Sequence, residues 1–71
     1  MEDKTQFIRR AHRALKSQRR ELRWSPAPDD VRAAMSASLS LLQEIVDHDP
    51  AHRIAAAALI AEFGPEANFP R

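Results

Sequence analysis

The chain has 71 residues, no cysteine, 44% hydrophobic and 30% charged residues and a formal net charge of +1. That length admits one domain, which at this size buries only about 60% of the surface its unfolded form exposes, and without cysteine neither disulfides nor the common zinc frameworks can reinforce the core. A single glycine among so many apolar and charged positions fits a helical globule rather than a disordered chain or a turn-rich β fold.

Residues 1 to 4 carry charges of both signs and no apolar core of a secretory leader, so a cytoplasmic location is the default expectation. A first helix is expected over 3–23, opened by Asp3 as its cap and closed by Arg19, Arg20 and Arg23 in its last turn. Within it Arg9, Arg13, Lys16, Arg20 and Arg23 recur at helical spacing and draw one positive stripe, flanked by Arg10 and Arg19. Phe7, Ala11, Ala14, Leu15 and Leu22 form the opposite, apolar side. Ser25, Pro26, Ala27 and Pro28 break the helix, because each proline removes a donor and pushes its predecessor out of the helical region.

A second helix is expected over 29–47, with Asp29 and Asp30 in its first turn and an apolar face of Val31, Met35, Leu39, Leu42, Ile45 and Val46. Leu41 widens that face, while Ser36, Ser38 and Ser40 offer small positions for close helix approach. Asp49 and Pro50 read as cap and first residue of a third helix over 50–63, ended by Gly64 and Pro65. Its run from Ile54 to Ala61 is apolar on every side, which implies that other helices surround it. That run is also far short of the roughly 20 residues of a membrane span, so no membrane partner is expected. Residues 64–71 are expected to be an extended tail, with Phe69 either folded back on the bundle or docked on a neighbour. The fold expected is therefore all-α: a single-domain three-helix bundle, its second and third helices an antiparallel hairpin, with self-association through Met35, Leu39, Leu42, Ile54, Leu59, Ile60 and Phe63 to a homodimer or higher oligomer.

Charge divides unevenly along the chain. Residues 1 to 24 carry eight Lys or Arg against three acids, a balance of +5, and residues 25 to 71 carry three Arg against seven acids, a balance of −4. A stripe of arginines suits phosphate, since the planar guanidinium grips phosphate oxygens with two bonds, and from Arg9 to Arg23 the stripe would run about 21 Å. The leading expectation is a non-enzymatic nucleic-acid-binding protein whose contacts are Arg9, Arg10, Arg13, Lys16, Arg19, Arg20 and Arg23. The competing expectation is a protein-interaction module, an inhibitor or adaptor that engages an acidic or apolar partner surface, with the stripe serving only as a solvated helix face. Trp24 stacks on a base or an arginine in the first view; as a lone tryptophan it more commonly closes a core. His48, Asp49 and His52 have ligand chemistry for zinc or nickel, but His48 precedes the expected helix start and shares no helical face with His52, so no metal or cofactor is expected. No glycine-rich phosphate loop or nucleophile motif is present.

The segment Asp49-Pro50-Ala51-His52-Arg53-Ile54-Ala55-Ala56, followed by Leu59 and Gly64, resembles the D-P-x-x-R-x-x-A helix start of helical modules in phage small-terminase proteins. Arg53 takes the pattern's basic position. The resemblance implies a ring-forming or dimerising helical DNA-binding protein of a phage or other mobile element.

Overall fold

The computed structural model of the protein describes residues 3–69. Three helices follow in chain order, α1 (Lys4–Glu21), α2 (Pro28–His48) and α3 (Arg53–Phe63), and each touches both others. Arg53 at the start of α3 meets Val46 near the end of α2, and Ser36 in the first half of α2 meets Ala67 just after α3, so α2 and α3 are antiparallel. Lys4 meets Asp49, His12 meets Glu62 and Arg19 meets Glu66, so α1 runs parallel to α3. The result is an up-down-up bundle.

The ends of the helices follow from their capping chemistry. Asp3 has extended backbone and its carboxylate accepts the Gln6 amide at 2.8 Å, as the sequence predicts. At the other end the Arg23 and Trp24 amides turn back only three residues, to the Arg20 and Glu21 carbonyls, and this tightening stops α1 at Glu21, two residues before the expected end. Pro28 occupies the first position of α2, where its missing N–H costs nothing.

The start of α3 differs from expectation. Asp49 and Pro50 are also the favoured first pair of a β-turn, and here they build one: the His52 amide bonds to the Asp49 carbonyl, and the helix begins at Arg53 rather than Pro50. Residues 64–68 likewise form turns rather than an extended tail. The Gly64 carbonyl accepts the Ala67 and Phe69 amides, Asn68 takes the left-handed conformation that asparagine tolerates (φ 55°), and Ala67 is buried with Phe69 packed on the core. Gly64 is needed there for closeness: a Cβ would sit 2.5 Å from the Ile60 carbonyl oxygen. Pro70 and Arg71, which the expected tail included, lie outside the described residues.

The core joins Ile8, Ala11 and Leu15 of α1 to Val31, Met35, Leu39, Leu42 and Ile45 of α2 and to Ala56, Leu59, Ile60 and Phe63 of α3. Among the described residues no polar or charged side chain is buried with them. The alanine-rich run is not surrounded. Ala56, Leu59 and Ile60 face the core, whereas Ala55, Ala58 and Ala61 are exposed and Ile54 is 86% exposed. Alanine makes this inexpensive, because it is the strongest helix former and its side chain is a single methyl group.

Candidate nucleic-acid interface

Helix α1 divides cleanly around its axis. Ile8, Ala11 and Leu15 face inward, and on the far side Arg9, Arg13, Lys16 and Arg20 are all exposed. Arg23, one turn further on and just beyond the helix, is exposed as well. Among the described residues none of these five pairs with a carboxylate. The helical part, Arg9 to Arg20, runs about 17 Å at 1.5 Å per residue. Arg10 is exposed on the flank of this file.

Arg19 does not belong to it. Its guanidinium lies 4.6 Å from the centroid of the buried Phe63 ring and within 3.7 Å of Glu66 and 4.0 Å of Glu62, so it stitches α1 to α3 and to the turn after it. His12 does the same about two turns earlier, edge-on to Phe63 at 5.9 Å and 3.9 Å from Glu62. The register contains the distinction: Arg19 follows Leu15 by four residues and so continues the inward line, whereas Lys16 and Arg20 do not.

The apolar residues expected at an oligomer interface are placed differently too. Met35, Leu39, Leu42, Leu59, Ile60 and Phe63 are buried within this chain's own core, because three helices already suffice to cover them, and Ile54 alone of that set faces outward. Trp24 is likewise outside the core, 71% exposed on the α1–α2 turn. Two shallow cavities mark the surface. A cleft of about 240 Å³ between the end of α1 and the start of α2 is lined by Gln18, Glu21, Ser25, Asp30 and Val31, and the Gln18 Oε1 there has no hydrogen-bond partner. A groove of about 210 Å³ lies between Gln43 and Val46 of α2 and Ala57, Ile60 and Ala61 of α3.

One polar cluster escaped the sequence. The Asp49 carboxylate accepts from Lys4 Nζ at 2.9 Å, from His52 Nδ1 at 2.8 Å and from the Ala51 amide at 3.0 Å, and the Thr5 hydroxyl lies 3.2 Å from His52 Nε2. With Nδ1 donating to the carboxylate, Nε2 is free to accept from the hydroxyl. Lys4 first and His52 second hold the Asp49 carboxyl down at about 2, against 3.8 in the absence of partners, outweighing the opposing effect of desolvation. Hydroxyl, imidazole and carboxylate in that order are also the parts of a nucleophile relay. Here the carboxylate is shared with Lys4 and with the Ala51 amide, and what the arrangement does physically is to clasp the start of α1 to the α2–α3 turn. His48 is exposed and stands outside the cluster, and no group able to hold a metal occurs among the described residues. Arg53 donates through Nε to the Val46 carbonyl at 2.9 Å, capping the end of α2.

No helix among the described residues is long and apolar enough to cross a membrane. Comparison of the chain with protein-family models, with curated proteins and with solved structures finds no match.

Proposed function

We propose that the protein is a non-enzymatic nucleic-acid-binding accessory protein that grips backbone phosphates with Arg9, Arg13, Lys16, Arg20 and Arg23, Arg10 lending support from the flank. The observation that carries this reading is the file of five exposed cations without an intramolecular counter-charge among the described residues, while the cation next to them, Arg19, is compensated. A charge left unpaired on a rigid helix has nothing to lose when a phosphate arrives and releases the counterions of the nucleic acid. Contacts of this kind position a ligand without choosing its sequence. Capture of a fluorescent oligonucleotide at low salt, followed as salt is raised, tests the proposal. Five phosphate contacts on a duplex give a slope of log K against log salt near −4.5, a loss of about 500-fold between 50 and 200 mM. Absence of saturable binding at low salt ends it. The resemblance at residues 49–64 would make the protein a ring-forming or dimerising DNA-binding protein of a phage or other mobile element; Arg53 in that segment is itself engaged with α2.

A second reading is a protein-interaction module, an inhibitor or adaptor that engages an acidic or apolar partner surface. What favours it is the outer face of α3, where Ile54, Ala58 and Ala61 are exposed next to the shallow groove against Val46. Light scattering separates the two: a monomer that captures the oligonucleotide supports the first, and a chain that associates but captures none supports the second.

A further inference from the structure

The side chain that the fold treats most strangely is Trp24. Burying a large aromatic side chain favours folding strongly, yet here the only tryptophan of the chain is left 71% exposed. Nor does it hang on a loose loop. The Trp24 and Ser25 amides both bond to the Glu21 carbonyl, the Ser25 hydroxyl accepts the Ala27 amide at 3.1 Å, and Pro26 and Pro28 restrict the backbone that follows. The indole is therefore presented on a stiff turn, directly after Arg23 and one helical turn after Arg20, at the end of the cation file.

The shape of the charged surface adds a constraint. Its cations follow one another every three or four residues, about 4.5–6 Å apart along the axis, in a single row. On the side of the row toward α3 stand the exposed carboxylates Glu62 and Glu66 around Arg19. A duplex laid on α1 would bring a second row of phosphates toward those carboxylates, whereas a single strand needs only the row itself. Over the 17 Å or so from Arg9 to Arg20, a stacked strand supplies about five phosphates. A positive track that ends in an exposed aromatic ring is the pairing by which proteins hold unpaired strands, phosphates on the track and a base on the ring.

We infer that the ligand of this surface is single-stranded nucleic acid, its phosphates held in file by Arg9, Arg13, Lys16, Arg20 and Arg23 and one base stacked on the Trp24 indole. The inference rests on the phosphate-binding reading above and narrows it. Because Trp24 is the only tryptophan, its emission reports this contact alone.

The test uses the full chain at about 50 mM salt, a concentration at which phosphate contacts are strong, with end-labelled oligothymidylate and its duplex with oligoadenylate, reading label anisotropy and tryptophan emission together. Tighter binding of the single strand, with emission quenched in step with the anisotropy, is expected. Trp24→Ala should weaken single-strand binding by about five- to a hundredfold with little effect on the duplex, and Trp24→Phe should recover part of the loss. Equal binding of strand and duplex, with unquenched emission and no response to Trp24→Ala, would overturn the inference and leave the phosphate reading standing. Failure to bind either oligonucleotide would remove both.

Discussion

Two residues of α3 that look alike in the sequence should behave as opposites when truncated. Phe63 has no exposed surface, lies under the rings and charges of His12 and Arg19, and ties α1 to α3; Ile54 is 86% exposed. Phe63→Ala removes the largest fully buried side chain and should cost about 3–5 kcal/mol, part of it the cavity left behind. For a 71-residue chain the whole stability is of order 4–11 kcal/mol, so the loss is a large fraction of it and the unfolding midpoint should fall by more than about 12 °C. Ile54→Ala exchanges an exposed β-branched residue for a better helix former and should stay within about 0.5 kcal/mol of the parent. Urea and thermal unfolding followed by far-ultraviolet circular dichroism, at two protein concentrations tenfold apart, read both variants. A loss for Ile54→Ala comparable with that for Phe63→Ala, growing with protein concentration, would refute the reasoning, because it would mean that the outer face of α3 is covered by another molecule.

Further outcomes follow from individual contacts. The Asp49 carboxyl is lower in the folded chain than in the unfolded one, so its contribution to stability is complete above about pH 3.8 and is lost as pH falls through about 2; Asp49→Asn should abolish that segment of the urea midpoint against pH between 5 and 2. Arg19 and Arg13 should separate: Arg19→Ala should lower stability by about 0.5–1 kcal/mol through the lost stacking on Phe63 while leaving oligonucleotide binding nearly intact. Arg13→Ala should do the reverse, keeping the unfolding midpoint and flattening the salt slope by about 0.7 on a single strand. Truncating Trp24, which the core does not use, should leave the unfolding midpoint within about 0.5 kcal/mol while affinity for a single strand falls.

The existence of the helices could be read from the chain because local chemistry decides it. Asp3 had one role available, and the prolines at 26 and 28 could only interrupt. Asp49 and Pro50 were ambiguous, because cap and turn use the same two residues; in the fold the Asp49 carboxylate accepts the Ala51 amide through one oxygen and Lys4 and His52 through the other, while the His52 amide closes a turn on the Asp49 carbonyl. Lys4 does leave a trace in the sequence, since it stands in line with Ile8, Ala11 and Leu15 on the inward face, but the identity of its partner 45 positions away is a matter of packing. Arg19 is a similar case. Its spacing places it both on the flank of the stripe and four residues after Leu15 on the inward line, and the buried Phe63 and the two glutamates of α3 and its following turn decide for an internal stitch. The apolar faces were assigned correctly as apolar, yet how much of them three short helices would use up among themselves was not written in any one element. Met35, Leu39 and Leu42 are consumed inside, and Trp24 is left out.

On the proposed reading, five cations serve a ligand and not the fold. Replacing Arg9, Arg13, Lys16, Arg20 and Arg23 together by glutamine, itself a good helix former, and measuring helicity, unfolding midpoint and oligonucleotide capture on the same sample puts that division to a direct test. The expected result is a helical spectrum and an unfolding midpoint close to those of the parent, with capture at low salt gone. Capture that survives the replacement, or a fold that collapses with it, would contradict the account.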